Sequence, residues 1–147
     1  MSYPACDVAK YIIKKCEEMH SPISNMQLQL LLYIVQKEFL SCGSEAFPEE
    51  IEAWVFGPVV PSVYYQYCGF AGIPIRMYWK PEAELDKDFV RIVDSVIVNK
   101  SKLPIWGLVK EVNTEGGAWD VTYKNGEGNH SLIRQEVINK ECFKEKF

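Results

Sequence analysis

The stretch from Ser24 to Gly43 constrains this fold more than any other. Ser24 and Gln27 stand at the capping-box spacing, in which each side chain satisfies the other residue's orphan N–H at a helix start. Ile23 and Leu28 flank the box at hydrophobic-staple positions. The pattern predicts a helix over Asn25–Cys42, with Gly43 as its left-handed cap. Leu28, Leu31, Leu32, Val35 and Phe39 form one stripe, and Leu30, Ile34 and Leu40 widen it. A helix apolar over most of its circumference belongs at the centre of a domain, so the rest of the chain is expected to clothe it.

The other segments suit that role. Ala5, Val8, Ala9, Ile12, Ile13, Cys16 and Met19 fall on one face of a 3.6-residue period, which predicts a helix over Ala5–Met19 that opens after Pro4 and ends at His20-Ser21-Pro22. Ile51, Ala53 and Val55 alternate with Glu50, Glu52, Trp54 and Phe56, a strand pattern that Gly57-Pro58 turns. Pro61 opens a short helix ending at Gly69, and Ile73–Trp79 alternates as a second strand that Pro74 confines to an edge. After a charged linker (Lys80–Lys87), helices are predicted over Asp86–Val98 and Pro104–Asn113, the latter stopped by Gly116-Gly117. Trp119–His130 has the composition of a loop, with a turn at Asn125-Gly126, and Arg134–Phe143 that of a terminal helix. No internal repeat or low-complexity tract is present. The expectation is one small, compact, mainly α domain over residues 1–147 with at most a minor β element, α+β being the alternative.

Composition narrows the function classes. Net charge is −4 over 147 residues and basic residues are interleaved with acidic ones, so the lysine and arginine surplus that displaces counterions from phosphates is missing and nucleic acid is disfavoured as a partner. No apolar run approaches membrane-spanning length, and residues 1–6 lack the charged and apolar regions of a secretory leader. Cys6, Cys16, Cys42, Cys68 and Cys142 are odd in number, widely spaced and without a CxxC pair, as expected of reduced, mostly buried thiols in a cytoplasmic protein.

Residues that could carry chemistry are few. His20 and His130 stand in turns, where exposed histidines are the default, and no local context couples either to a cysteine nucleophile. Zinc requires short-range Cys/His pairs, which are absent. Glu49, Glu50 and Glu52 have the residue type for a hard cation, but a charge run is by default a solvated face. The glycines near residues 116 and 126 lack the Lys-Ser/Thr of a phosphate loop. No catalytic, cofactor-binding or metal-ligating residue is assigned, no cofactor is expected, and the chain is read as a non-enzyme.

One segment stands apart. Between Glu52 and Tyr67 the rings of Trp54, Phe56, Tyr64, Tyr65 and Tyr67 crowd around Gly57, Pro58 and Pro61. Large rings dominate binding hot spots and are equally at home in a core. From residues alone the core-plus-turn reading outweighs the interface reading, and Trp54, Phe56, Tyr64 and Tyr65 are the candidates for contact with a partner.

Several stretches, in order and spacing, resemble the Panacea domain, the family of SocA-like and phage-associated GepA-type antitoxins. They are Asp7-Val8-Ala9-Lys10-Tyr11-Ile12-Ile13, Leu28-Gln29-Leu30-Leu31-Leu32-Tyr33 and, most specific, Ala53-Trp54-Val55-Phe56-Gly57-Pro58-Val59-Val60-Pro61-Ser62-Val63-Tyr64, with an echo at Trp119, Ile133, Val137, Ile138 and Phe143. One departure is Leu30, where the family usually carries lysine. The resemblance implies a cytoplasmic antitoxin, often of prophage origin, that neutralises a toxin encoded nearby by direct binding, with Asp7, Tyr33, Gly57, Pro58 and Pro61 as structural signature positions. An adaptor role, delivering the toxin to a protease, is the alternative, and self-association is open.

Overall fold

Helix α2 (Asn25–Ser41) runs through the middle of the molecule and touches α1 (Ala5–Glu18), α3 (Pro61–Tyr67), α4 (Lys87–Lys100), α5 (Ile105–Val112), α7 (Gln135–Lys146) and strand β2 (Gly57–Val59). The computed structural model describes residues 2–76 and 79–146, with side chains through Cys142. Leu28, Leu30, Leu31, Leu32, Val35 and Phe39 of α2 are all buried, each stabilising the fold by roughly 1.5–3 kcal/mol. The local signals behave as read: Ser24 and Gln27 close the capping box, Ile23 and Leu28 are buried beside it, and Gly43 takes φ +85°. Ser44 N–H donates to the Phe39 carbonyl and Gly43 N–H to that of Leu40, the paired bonds of a Schellman cap. His20, at φ +58°, closes α1 in the same left-handed way.

The fold is mainly α with a small three-stranded sheet of order β2-β1-β3, where β1 is Ile51–Trp54 and β3 is Ser131–Ile133. Pro58 is tolerated because β2 is an edge strand, and Pro61 opens α3 at its first position. The strand expected over Ile73–Trp79 does not form in its described part; Met77 lies outside the described residues. Both edges of β1 are already taken. Of the described residues of the alternating set only Ile75 is buried, and its N–H donates to the Ile23 carbonyl at 2.7 Å, so the segment docks on the α1–α2 turn instead. The region expected to be a loop, Trp119–His130, holds all but the first residue of α6 (Ala118–Tyr123), a helix too short for periodicity to reveal. The thiols are free but not mostly buried: Cys16 and Cys142 are buried, Cys6 is half-buried, and Cys42 and Cys68 are exposed. The side chain of Phe143 lies outside the described residues.

Two of the positions expected as structural signature hold distant segments. Asp7, 5% exposed, accepts N–H groups of Glu82 (2.9 Å) and Ala83 (3.3 Å), fixing the charged linker to α1. The hydroxyl of buried Tyr33 donates to Glu141 Oε2 at 2.6 Å, joining α2 to α7.

Burial of acids predicts an alkaline limit. Burial pushes the Cys16 thiol from its ordinary 9.0 up to about 12. Burial, and secondarily Cys6, pushes the Tyr67 phenol from 10.0 up to about 12. Tyr11 is raised by burial and by its hydrogen bond to Asp94. In each case the folded pKa lies above the unfolded one, so the unfolded chain releases its proton first. The stabilisation is complete below pH 9 and is lost as pH rises through the window from 9 to 12. Urea midpoints should fall steadily across that window, and less steeply for Cys16→Ala. A flat profile would contradict the assignment.

Candidate partner-binding surface

Strands β1 and β2 form a hairpin with Trp54 opposite Gly57 and only Val55-Phe56 between them. Two-residue hairpin loops ordinarily carry Asn, Asp or Gly. Here they carry apolar side chains that project into solvent, Val55 55% and Phe56 67% exposed. Gly57 supplies the positive φ, +142°, that the turn requires. A Cβ at Gly57 would also lie 3.1 Å from Leu30 Cδ2. Gly57→Ala is therefore expected to destabilise by about 1–2 kcal/mol, measured as a shift in urea midpoint at constant slope.

Beneath the hairpin a buried amide relay fixes the start of α3. Asn25 Nδ2 donates to the Tyr64 carbonyl (3.1 Å), Gln29 Nε2 donates to Asn25 Oδ1 (3.0 Å), and Gln29 Oε1 accepts the N–H of Val60 (2.9 Å). Both amide side chains are almost fully buried. This network holds the β2–α3 junction against the N-terminal half of α2. It was not foreseen from the sequence, although amides at 25 and 29 within an otherwise leucine-rich helix were its visible mark.

The rings converge as a chain. Trp54 meets Tyr64 edge-on at 4.9 Å and Tyr65 at 6.2 Å, and Tyr64 meets Tyr65 at 5.5 Å. His130, brought alongside by the pairing of β3 with β1, stacks on Trp54 at 4.5 Å and 13°. Trp54 Nε1 donates to Glu52 Oε1 (2.9 Å), and the Trp54 carbonyl accepts from Trp119 Nε1 (2.8 Å). The structure thus brings Trp54, Tyr64 and Tyr65 into contact and places Phe56 on the same surface. Trp54 and Tyr64 are half-buried, while Phe56 and Tyr65 face solvent, so the segment divides between scaffold and surface. A half-buried Trp54 implies a cost below the roughly 3–5 kcal/mol of a fully buried ring. Trp54→Ala is expected to destabilise by about 2–3 kcal/mol; an unchanged melting curve would remove the ring from the scaffold.

A pocket of about 310 Å³ opens between the hairpin and the start of α2, walled chiefly by Met26, Leu30, Trp54, Phe56, Pro58 and Tyr64. Leu30, the one position of the second motif that departs from the resembled pattern, is part of this wall and 1% exposed. Met26 and His130 belong to the surface, and no sequence signal connected either to the aromatic segment. The acidic run does not converge: Glu49 Oε2 caps α1 through the N–H of Ala5 (3.0 Å), Glu52 holds Trp54, and Glu50 is exposed. Among the described residues no three His, Cys, Asp or Glu side chains are grouped for a metal, and no helix is long and apolar enough to cross a membrane.

No family model matches the chain, and no solved structure matches it. The SocA-like part of the motif resemblance has support among curated proteins. Over 99% of its length the chain is similar to Antitoxin SocA of Caulobacter vibrioides (strain NA1000 / CB15N), with 29% identity across 162 aligned residues that cover 83% of that protein.

Proposed function

We propose that this chain is an antitoxin, a single non-enzymatic domain acting in the cytoplasm, that neutralises a toxin encoded nearby by binding it directly. The observation that carries the reading is the end-to-end likeness to a protein named as an antitoxin. The hairpin surface is the part of the molecule that suits the task. Rigid rings contribute large contact area at low entropy cost, and they are presented here by an element fixed from below by the Asn25–Gln29 relay. Trp54, Phe56, Tyr64 and Tyr65 are the proposed contact residues. A chain of net charge −4 can meet a protein partner without also attracting nucleic acid.

Direct inhibition is stoichiometric, because each bound antitoxin blocks one toxin or one fixed assembly. The test titrates the purified chain against the product of each flanking gene in a toxicity-related activity assay without protease. A sharp equivalence point is expected. Rescue at trace amounts would replace the reading with an enzyme, and rescue only in the presence of a cellular protease would replace it with an adaptor. Absence of both binding and rescue with every flanking product would end the antitoxin reading.

A further inference from the structure

The pocket beside the hairpin has a chemistry that restricts what can enter it. Among the described residues no side chain charged at neutral pH lines it. The two amides in its wall, Asn25 and Gln29, are 3% and 2% exposed and are engaged with each other, with the Tyr64 carbonyl and with the Val60 N–H. A charged or strongly polar group entering this space would shed its water and meet no charge of opposite sign, whereas an apolar group gains by the same transfer.

The surroundings say how large the occupant must be. Val55, Phe56 and Tyr65 stand 55%, 67% and 63% exposed around the hairpin. A small molecule filling 310 Å³ would leave those side chains in water, so only a macromolecule covers both pocket and rim. An obligate dimer of this chain would need roughly 2,000 Å² or more of mostly apolar interface. One pocket and three exposed side chains fall well short of that area, but they match the apolar centre of a standard interface of about 800 Å² per partner.

We infer that the pocket receives one uncharged apolar side chain, aliphatic or aromatic, presented by the toxin, with the exposed hairpin residues closing around it. This inference rests on the antitoxin reading and adds the chemical class of the toxin's anchoring residue. It makes Met26 and Leu30, rather than the exposed rings alone, determinants of which toxin fits.

The test has two arms. In the first, the full chain alone is titrated by NMR with indole, and with benzoate and benzylammonium as charged counterparts. Indole should shift the Met26 methyl and the Trp54 indole N–H saturably, with an affinity at least about tenfold above either ion. Met26→Glu should weaken indole binding at least about tenfold while keeping the melting curve, because a carboxylate is well placed in the first turn of α2. Equal binding of the ions, or indole shifts confined to other residues, overturns the inference. In the second arm indole is added to the complex with the toxin and should weaken it in proportion to pocket occupancy. A complex that forms but ignores saturating indole and Met26→Glu sinks the anchor while sparing the antitoxin reading. Absence of any toxin complex sinks both. A self-associated chain that indole dissociates in sedimentation assigns the pocket to a second copy and likewise overturns the proposal.

Discussion

Gln29→Ala is expected to lower the unfolding free energy by about 3–5 kcal/mol, a large share of the roughly 5–15 kcal/mol that a domain of this kind possesses. Three losses combine. The Val60 N–H, in a residue 1% exposed, loses its acceptor. Asn25 Oδ1 loses the donor at 3.0 Å. Each buried group left unpaired costs about 1–3 kcal/mol, and the vacated amide leaves a cavity in a helix whose neighbours Leu28, Leu30 and Leu31 are fully packed. Gln29→Glu provides the geometric control. It keeps the volume and the acceptor for Val60 but removes the donor to Asn25 and places two carbonyl-type oxygens face to face, so it should also destabilise. Chemical denaturation of both variants checks the argument; a loss under about 1 kcal/mol for Gln29→Ala would show that the relay is dispensable.

Where the sequence was informative, the determinants were local. The capping box, the glycine cap and the apolar stripe of α2 depend on neighbours within a few residues, and each formed as its spacing required. The Ile73–Trp79 alternation misled because alternation reports two faces, not whether a partner edge is free. β1 has two edges, and β2 and β3 occupy them. β3 escaped notice because three residues carry no readable period, and its pairing with β1 spans about eighty positions, as Ile51 with Ile133 shows. The same limit divides the candidate surface. The rings from Trp54 to Tyr65 were conspicuous in sequence, but the pocket exists only because Met26 and Leu30 approach them from another element, and the ring stack is completed by His130 from beyond α6. The polar relay lies between these cases. Asn25, Gln29 and Gln36 are amides set among leucines on one helix, a pattern that signals buried partners without naming them. The partners of Gln36 proved to be the backbone of Ala46 and Phe47.

On the proposed antitoxin function, Phe56→Asp is expected to weaken binding to the toxin by about 30-fold or more, the consequence of removing a hot-spot side chain worth 2 kcal/mol or more, and to abolish neutralisation at equimolar ratio. The same change should leave folding stability within about 0.5 kcal/mol, because the ring is 67% exposed at a hairpin loop. The turn itself depends on other groups: Gly57 supplies its backbone conformation, and the Phe56 carbonyl, which accepts from Asn113 Nδ2 at 3.3 Å, survives the substitution. This separation of binding from folding distinguishes Phe56 from Trp54, whose loss would lower both and so could not by itself locate the interface. The aspartate adds a penalty of its own, since a carboxylate buried at the centre of an apolar contact must be desolvated without a counter-charge. Phe56→Leu keeps an apolar tip without the ring and should retain much of the affinity, so the series Phe, Leu, Asp orders the variants by burial of apolar surface. Isothermal titration against the toxin, with denaturation curves for each variant, measures both quantities. Full affinity in a folded Phe56→Asp protein would remove the hairpin tip from the interface and direct the search to other exposed rings, beginning with Trp106 on α5 at 70% exposure.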